Sequence, residues 1–181
     1  IQSNLTRHTL SVIKELSLKR LVKMQVAISG IAPQAAKRWG LNLELGKVEI
    51  QGKGNLGIRM RRQVLIAQQN FQPRSCPGET TIIIGTDLPD LCQRDVLQAI
   101  EALREFELVL GPANDGGYWL IGLSGNLLKP VVSWPFCGIP WGSRKVLHRT
   151  IQAANAYGIP HQLLRLQNDL DCLKDLAPWK G

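Results

Sequence analysis

The sequence lacks an apolar run long enough to cross a membrane, and it lacks the layout of a secretory leader. A membrane-spanning helix needs about 20 consecutive apolar residues, and every apolar run in these 181 residues is interrupted well before that. The first residues, Ile1 to Asn4, show no basic stretch followed by an apolar one. We therefore expect a cytoplasmic protein with no membrane span. The chain also lacks an initiator Met, which is typical of a fragment or of a processed form.

Cysteine pairs at metal-binding or redox spacing are missing. The sequence has four cysteines, at Cys76, Cys92, Cys137 and Cys172. No two of them lie two or three residues apart, which excludes a zinc ribbon and a Cys-x-x-Cys redox motif. Four cysteines could pair as disulfides in a secreted protein, but without a visible leader we favour reduced thiols.

Acidic residues are few compared with basic ones. The chain has 14 Asp and Glu against 22 Lys and Arg, so its formal net charge is +8. Such a surface could meet nucleic acid, an anionic membrane or phosphorylated small molecules. The densest basic cluster is Arg59, Arg61 and Arg62, and no aromatic residues are interleaved with it as on a platform for single strands. A nucleic-acid partner is therefore disfavoured.

Helix and strand patterns alternate along most of the chain, and no linker or repeat divides it. Predicted helices cover 5–18, 33–39, 58–69, 95–105 and 145–157, and predicted strands cover 21–29, 47–51, 80–84, 107–110, 118–122 and 161–166. The alternation predicts one α/β domain over residues 1–181, with helices on both faces of a sheet. The continuous apolar run 80–84 predicts a central parallel strand that is buried on both faces.

An aspartate follows this apolar run in the segment IIIGTDLP. Ligands of doubly wound sheets bind beyond the carboxyl ends of the strands. Asp87 is therefore a candidate ligand for Mg²⁺, which favours one or two carboxylates together with substrate phosphates. Gly85 would let a ligand approach the backbone, and it is a candidate substrate-binding residue together with Thr86. The alternative is that Asp87 serves as a turn or helix-capping residue.

A glycine-rich segment, LGPANDGGYWL, joins two predicted strands. A carboxylate at Asp115 can accept hydrogen bonds from hydroxyl groups, and Gly116 and Gly117 would let a sugar ring lie close to the backbone. With Tyr118 directly after them, these residues suit sugar recognition. The alternative is simple turn chemistry between two strands.

A pair of carboxylates follows the last predicted strand in the segment NDLD. Asp169 and Asp171 are two residues apart and could complete a divalent-cation site with Asp87. The alternative is that one of them caps a closing helix.

The segment QGKGNLGIRM leads its glycines into a helix N-terminus, which can hold phosphate. Its spacing matches neither a Walker A loop nor a dinucleotide fingerprint. Arg59 is a candidate substrate-binding residue here, and a surface ion pair is the alternative.

One tryptophan directly precedes the segment PFCGIPWGS and another lies within it. Trp134 and Trp141 could line an acceptor pocket, and Trp141 is a candidate substrate-binding residue. Packing beneath a loop is the alternative for both.

Taken in order, five segments resemble the bacterial GT-A glycosyltransferase-like family related to 2-phospholactate guanylyltransferase, which includes glycosyltransferases of the arsenosugar-biosynthesis type. The segments are QGKGNLGIRM, IIIGTDLPDL, LGPANDGGYWLIGL, PFCGIPWGSRKVLHRT and NDLDCLKDL, and together they span Gln51 to Leu176. The resemblance implies a Rossmann-like nucleotide-diphospho-sugar transferase fold with a mixed, mostly parallel sheet. It also implies chemistry on a nucleoside diphosphate sugar with Mg²⁺ or Mn²⁺.

The resemblance also suggests roles for single residues. By position, Asp87 matches the metal-binding aspartate, and Asp169 and Asp171 match the closing acidic motif. The residues from Asp115 to Tyr118 match the loop expected to face the donor sugar or the acceptor. Asn55 and Ile58 depart from the acidic residues usual near the glycine loop.

A second departure lies at the front of the chain. Relatives open with a β-strand and a nucleotide-contacting loop, whereas this sequence begins within the helix that follows them. The missing strand would lie in the middle of the sheet. Because an exposed sheet edge invites pairing with another chain, we expect a tendency to form a homodimer.

These observations favour a metal-dependent glycosyltransferase acting on an unknown acceptor. A bound cation would stabilise the leaving diphosphate, and Asp115 is the candidate general base for an attacking hydroxyl. One alternative is a nucleotidyltransferase that releases pyrophosphate. The other is a non-catalytic remnant that binds a nucleotide or a partner.

Overall fold

Helices and strands alternate in the computed structural model, which describes residues 2–43, 48–71, 80–125, 127 and 135–168. The described residues form α1 (Gln2–Leu18), β1 (Val26–Ile28), α2 (Pro33–Asn42), β2 (Val48–Ile50), α3 (Leu56–Phe71), β3 (Thr81–Ile84), α4 (Gln93–Ala102), β4 (Leu108–Pro112), β5 (Tyr118–Leu123), α5 (Val146–Ala156) and β6 (His161–Leu163). Each predicted helix and strand is present. The strands predicted over 21–29 and 161–166 are shorter than expected, at three residues each.

The strands form two sheets. Four of them make a sheet in the order β3-β5-β4-β6, and β1 pairs with β2 in a separate parallel sheet. In the larger sheet β5 is antiparallel to both β3 and β4, whereas β4 and β6 are parallel. Because β3, β4 and β6 therefore point the same way, the predicted mixed, mostly parallel sheet is confirmed.

The prediction of a central parallel strand at 80–84 is wrong. Within the described residues β3 lies at one edge of the four-stranded sheet, its partner β5 is antiparallel, and its side chains are only half-buried. The apolar run has a different reason, because Ile83 packs against one core cluster while Ile82 and Ile84 pack against the other. Packing on both faces requires apolar residues at every position, and it leaves the pairing direction open. The homodimer expected from exposed edges stays a prediction.

Helices cover both faces of the larger sheet, as predicted. One core cluster joins α3 and α5 to the sheet through Met60, Val64 and Ala154. The other joins α1 and α4 through Val12 and Ala99. Among the described residues, none of the helices combines the length and apolar character that crossing a bilayer requires.

A bulge in the β4–β5 pair directs one tryptophan to the α1–α4 face. Gly111 pairs with Leu120 and Pro112 pairs with Tyr118, so Trp119 is the extra residue between them. Trp119 and Leu120 consequently pack into the same cluster. A Cβ atom on Gly111 would overlap the Trp119 indole, so the glycine provides the space that the buried ring occupies.

The Gly111–Trp119 contact predicts that Gly111→Ala lowers the free energy of unfolding by about 1–3 kcal/mol, the usual cost of overpacking. Urea denaturation followed by tryptophan fluorescence measures this change. Gly85→Ala is the matched control, because the nearest atom to its added Cβ is 3.7 Å away. The control should stay within about 0.5 kcal/mol of the wild type. Equal stability of the two variants would contradict the packing role of Gly111.

Candidate functional site

Three segments meet at one edge of the larger sheet because the carboxyl ends of its parallel strands lie together. Residues 85–90 follow β3, residues 113–117 follow β4, and residues 164–168 follow β6. We call this region the carboxyl edge. It brings the neighbourhood of Asp87 and the loop that begins at Ala113 to the same side of the sheet, where ligands of α/β folds bind.

The loop after β3 is held from several directions. Leu88 and Leu91 are each 1% exposed and pack in the α1–α4 cluster. From α1, the His8 imidazole Nε2 lies 2.9 Å from the Leu91 carbonyl oxygen. Asp87 is half-buried within this loop. Since α4 begins only at Gln93, Asp87 does not cap that helix.

Asp115 forms the turn that follows β4. Its Oδ1 atom accepts a hydrogen bond of 2.7 Å from the Gly117 backbone N–H, and the side chain is exposed. The turn is closed by the Ala113 N–H, which donates to the Gly117 carbonyl at 3.1 Å. The alternative that Asp115 belongs to a turn between two strands is thus confirmed. Its role as a general base stays a prediction.

Gly116 seats this turn on the start of α5. Its φ of +90° lies in the left-handed region. A Cβ atom there would overlap the backbone of Arg144. The Gly116 carbonyl accepts a hydrogen bond of 3.0 Å from the Leu147 N–H. Packing therefore requires a glycine at this position, whatever ligand contacts the turn.

Tyr118 and Trp141 pack against each other beneath the turn. Their ring centroids are 6.1 Å apart at 87°, an edge-to-face contact, and both rings pack against the α3–α5 cluster. A Cβ atom on Gly57 of α3 would overlap the Trp141 indole, so this glycine brings α3 against the ring. Burial raises the pKa of Tyr118 well above its ordinary value. The packing alternative describes Trp141, and Tyr118 is packed in the same way. The substrate contacts of both stay predictions, and Trp134 lies outside the described residues.

Arg59, near the start of α3, donates a hydrogen bond to the segment that precedes this helix. Its Nη1 donates to the Gln51 side-chain oxygen at 3.3 Å, and the Gln51 amide donates to the Ala27 carbonyl at 3.1 Å. Arg59 is thereby linked to β1 through a neutral partner rather than a carboxylate. Asn55 accepts the Ile58 N–H at 3.0 Å and so caps α3 without the charge of an acidic residue.

An ion pair that the sequence patterns did not indicate joins the segment after β6 to the first turn of α4. Arg165 Nε lies 2.5 Å from Asp95 Oδ1, and its Nη2 donates to Asp95 Oδ2 at 2.8 Å. The same Nη2 donates to the Asp90 carbonyl at 2.9 Å, and the Trp119 indole donates to the Arg165 carbonyl at 3.2 Å. The bidentate contact of the Arg165 guanidinium with Asp95, which we call the fork, fastens residues 164–168 to α4, and the hydrogen bond to the Asp90 carbonyl fastens them to the loop after β3. The only local signal was an aspartate in the first turn of α4, a position typical of helix capping.

Asp95 is held in its charged form. Burial alone would raise its pKa, but hydrogen bonds from Arg165 and from the Cys92 N–H outweigh burial, and the pKa lies below the ordinary 3.8. The side chain of Asp95 is 3% exposed, whereas that of Arg165 is 47% exposed. The pair is therefore neither a surface pair nor a fully buried one.

The described residues supply only some of the ligands that a cation site needs. Asp87 is the candidate carboxylate among the described residues, and that part of the chain holds no group of three or more His, Cys, Asp or Glu suited to a metal ion. Asp169 and Asp171 lie outside the described residues. One carboxylate still fits Mg²⁺ or Mn²⁺, because phosphates of a substrate commonly supply other ligands.

We expect Asp95→Asn to lower the free energy of unfolding by about 2 kcal/mol, between the values for exposed and for buried pairs. Because folding lowers the pKa of Asp95, its contribution is present above about pH 3.8 and is lost as the pH falls through the lower folded value. Urea denaturation from pH 3 to pH 7 should therefore show the largest difference from wild type at neutral pH.

The matched control is Glu101→Gln, which removes an exposed pair with Arg104 whose side chains are 72% and 70% exposed. It should change stability by less than about 1 kcal/mol. An Asp95→Asn variant with the stability of this control at neutral pH would contradict the anchoring role of the fork.

Comparisons with known proteins agree with this fold. Residues 12–143 match the model of a bacterial family described as "Uncharacterized protein conserved in bacteria (DUF2064)". No curated protein matches the chain. The crystal structure of a "putative nucleotide-diphospho-sugar transferase" from Desulfovibrio desulfuricans G20 superposes with a TM-score of 0.79, covering 95% of this chain and 71% of that one at 23% identity. The predicted nucleotide-diphospho-sugar transferase fold is confirmed, and the chain belongs to the DUF2064 family of bacteria.

Proposed function

We propose that this protein is a metal-dependent glycosyltransferase, which moves a sugar from a nucleoside diphosphate sugar to the hydroxyl group of an acceptor. The observation that carries the proposal is the meeting of three polar segments at the carboxyl edge, with Asp87 on the first and Asp115 on the second. The likeness to a solved protein of the nucleotide-diphospho-sugar transferase type supports it.

Asp87 would hold Mg²⁺ or Mn²⁺ together with Asp169 or Asp171. When bound, the cation supplies positive charge that stabilises the departing diphosphate. Gly85 and Thr86 would lie beside the donor, in a loop that buried leucines and the Thr9 hydroxyl, 3.5 Å from the Thr86 carbonyl, hold in place. Arg59 would contribute positive charge toward the phosphates.

Asp115 would accept the proton of the attacking acceptor hydroxyl. Its exposure gives an acceptor access, and the Gly117 N–H on Oδ1 fixes the orientation of the carboxylate. The backbones of Gly116 and Gly117 would border the sugar. In this arrangement Tyr118 and Trp141 support the turn from below.

Asp87→Asn should weaken metal-dependent binding of sugar nucleotides by at least about tenfold, the equivalent of 1.4 kcal/mol. Calorimetry with UDP-glucose and GDP-mannose, each with and without Mn²⁺, measures this change. Asp90→Asn is the matched control in the same loop, because it removes a carboxylate charge and keeps the backbone carbonyl that accepts the Arg165 hydrogen bond. The control should bind as the wild type does.

The products and the wild-type affinity distinguish the alternatives. Release of a nucleoside diphosphate supports glycosyl transfer, whereas release of pyrophosphate from a nucleoside triphosphate would identify a nucleotidyltransferase. A folded wild-type chain that binds none of these compounds would overturn the proposal in favour of a non-catalytic protein.

Asp115→Asn should lower kcat by roughly 10²–10⁴-fold, the usual contribution of a general base. Affinity for the donor should be unchanged, since the asparagine oxygen can still accept the Gly117 N–H and preserve the turn. Steady-state kinetics and donor binding on the same preparation separate these effects. Full turnover in this variant would exclude Asp115 as the base.

A further inference from the structure

The side chain of Gln167 is buried at the carboxyl edge, and neither of its ends is hydrogen-bonded to a described residue. It is 3% exposed, and both Oε1 and Nε2 lack a hydrogen-bond partner within the part of the chain that the structure describes. A carboxamide offers two N–H donors and an acceptor oxygen. Because withdrawing such groups from water without new partners is unfavourable, buried polar side chains are almost always paired. Gln167 therefore requires an explanation.

Two other glutamines use both ends of their side chains in hydrogen bonds within the fold. Gln63 is 9% exposed, donates to the Ile50 carbonyl at 3.2 Å and accepts from the Gln25 amide at 3.3 Å. Gln51 likewise donates to a carbonyl and accepts from Arg59. Gln25 keeps one end paired, through its amide on Gln63, although its Oε1 has no partner among the described residues. Gln167 differs from all three, because neither end of its side chain is paired with a described residue.

The backbone at Gln167 is firmly placed. Its N–H donates to the Pro112 carbonyl at 3.1 Å, and residues 113 and 167 form a parallel bridge. On one side the Asn168 side chain accepts a hydrogen bond from Asn114 of the turn. On the other, Arg165 is anchored by its fork to Asp95 and by the Trp119 indole. The backbone of Gln167 is thus held beside the turn that carries Asp115.

The chemistry of an amide narrows the choice of ligand. A phosphate group could accept from Nε2 but would leave Oε1 unpaired, and a cation would do the reverse. A hydroxyl group both donates and accepts, so neighbouring hydroxyls can satisfy both ends of one carboxamide.

We propose that Gln167 is a specificity-determining residue that hydrogen-bonds the hydroxyl groups of a bound sugar nucleotide. This inference rests on the proposed function, and it adds a group on the segment after β6 to the candidate site. The unpaired amide is then preorganised for the ligand, and the free protein bears the cost of burying it.

The test compares Gln167→Met with Gln63→Met in the full chain. Methionine keeps the length and much of the volume of glutamine but has no amide. Without a ligand, Gln167→Met should raise Tm by about 2–4 °C, because an unpaired polar group is removed. Gln63→Met should lower Tm, because two hydrogen bonds are lost, and it should leave sugar-nucleotide affinity unchanged.

Calorimetry with UDP, UDP-glucose, GDP and GDP-mannose in the presence of Mn²⁺ then locates the hydroxyls. For Gln167→Met we expect a loss of about tenfold or more in affinity for the sugar nucleotides. A loss confined to the sugar nucleotides assigns the contact to the hexose, whereas an equal loss for the free diphosphates assigns it to the ribose.

Two outcomes overturn the inference in distinguishable ways. If wild type binds sugar nucleotides and Gln167→Met binds them equally well, the inference fails while the proposed function stands. A lowered Tm with unchanged affinity would show that the amide serves the fold, for example through a buried water. If wild type binds none of the four compounds, the proposed function fails and this inference fails with it.

Discussion

The contact between Arg165 and Asp95 is the constraint on which the candidate site depends. It joins residues 70 positions apart in the chain and fastens the segment after β6 to the first turn of α4. The same guanidinium donates to the Asp90 carbonyl and so also reaches the loop after β3. Because Arg165 also accepts the Trp119 indole N–H through its carbonyl, the fork extends its hold to β5. Arg165 thereby links α4, β5 and the loop after β3 at the edge where ligands of this fold class bind, through its bidentate pair with Asp95 and two further hydrogen bonds.

Several positions of this molecule require glycine, because a bulky group lies where a Cβ atom would be. Gly111 makes room for Trp119, Gly57 for Trp141, and Gly116 for the backbone of Arg144. These contacts stack the glycine segments against the core and hold the turn after β4 in place. The loop can face a ligand only because its inner side is packed this tightly. A flexible glycine loop would not orient Asp115 in the same way.

Much of the fold was predictable because its causes are local. Apolar periodicity places α1, α3 and α5, and it places β4 and β5 nearly to the residue. The error over β3 has a clear cause. An apolar residue at each position shows that both faces are packed, but the pairing direction and the edge position depend on strands far away in sequence. The site was less predictable, because the sequence of a motif is the same whether Tyr118 and Trp141 face a ligand or pack in the core.

By itself, the sequence determined the order of helices and strands and which polar residues follow which strand, because both depend on neighbours along the chain. That Asp87 and the turn at Asp115 lie at the same sheet edge depends on the directions of β3 and β4, which the tertiary structure sets. Only the tertiary structure decided which side chains point inward. It joined Arg165 to Asp95, placed Trp119 at a bulge, and left the Gln167 amide buried without a partner among the residues that the structure describes. These features arise from contacts between distant segments, where packing space and hydrogen-bond geometry act together.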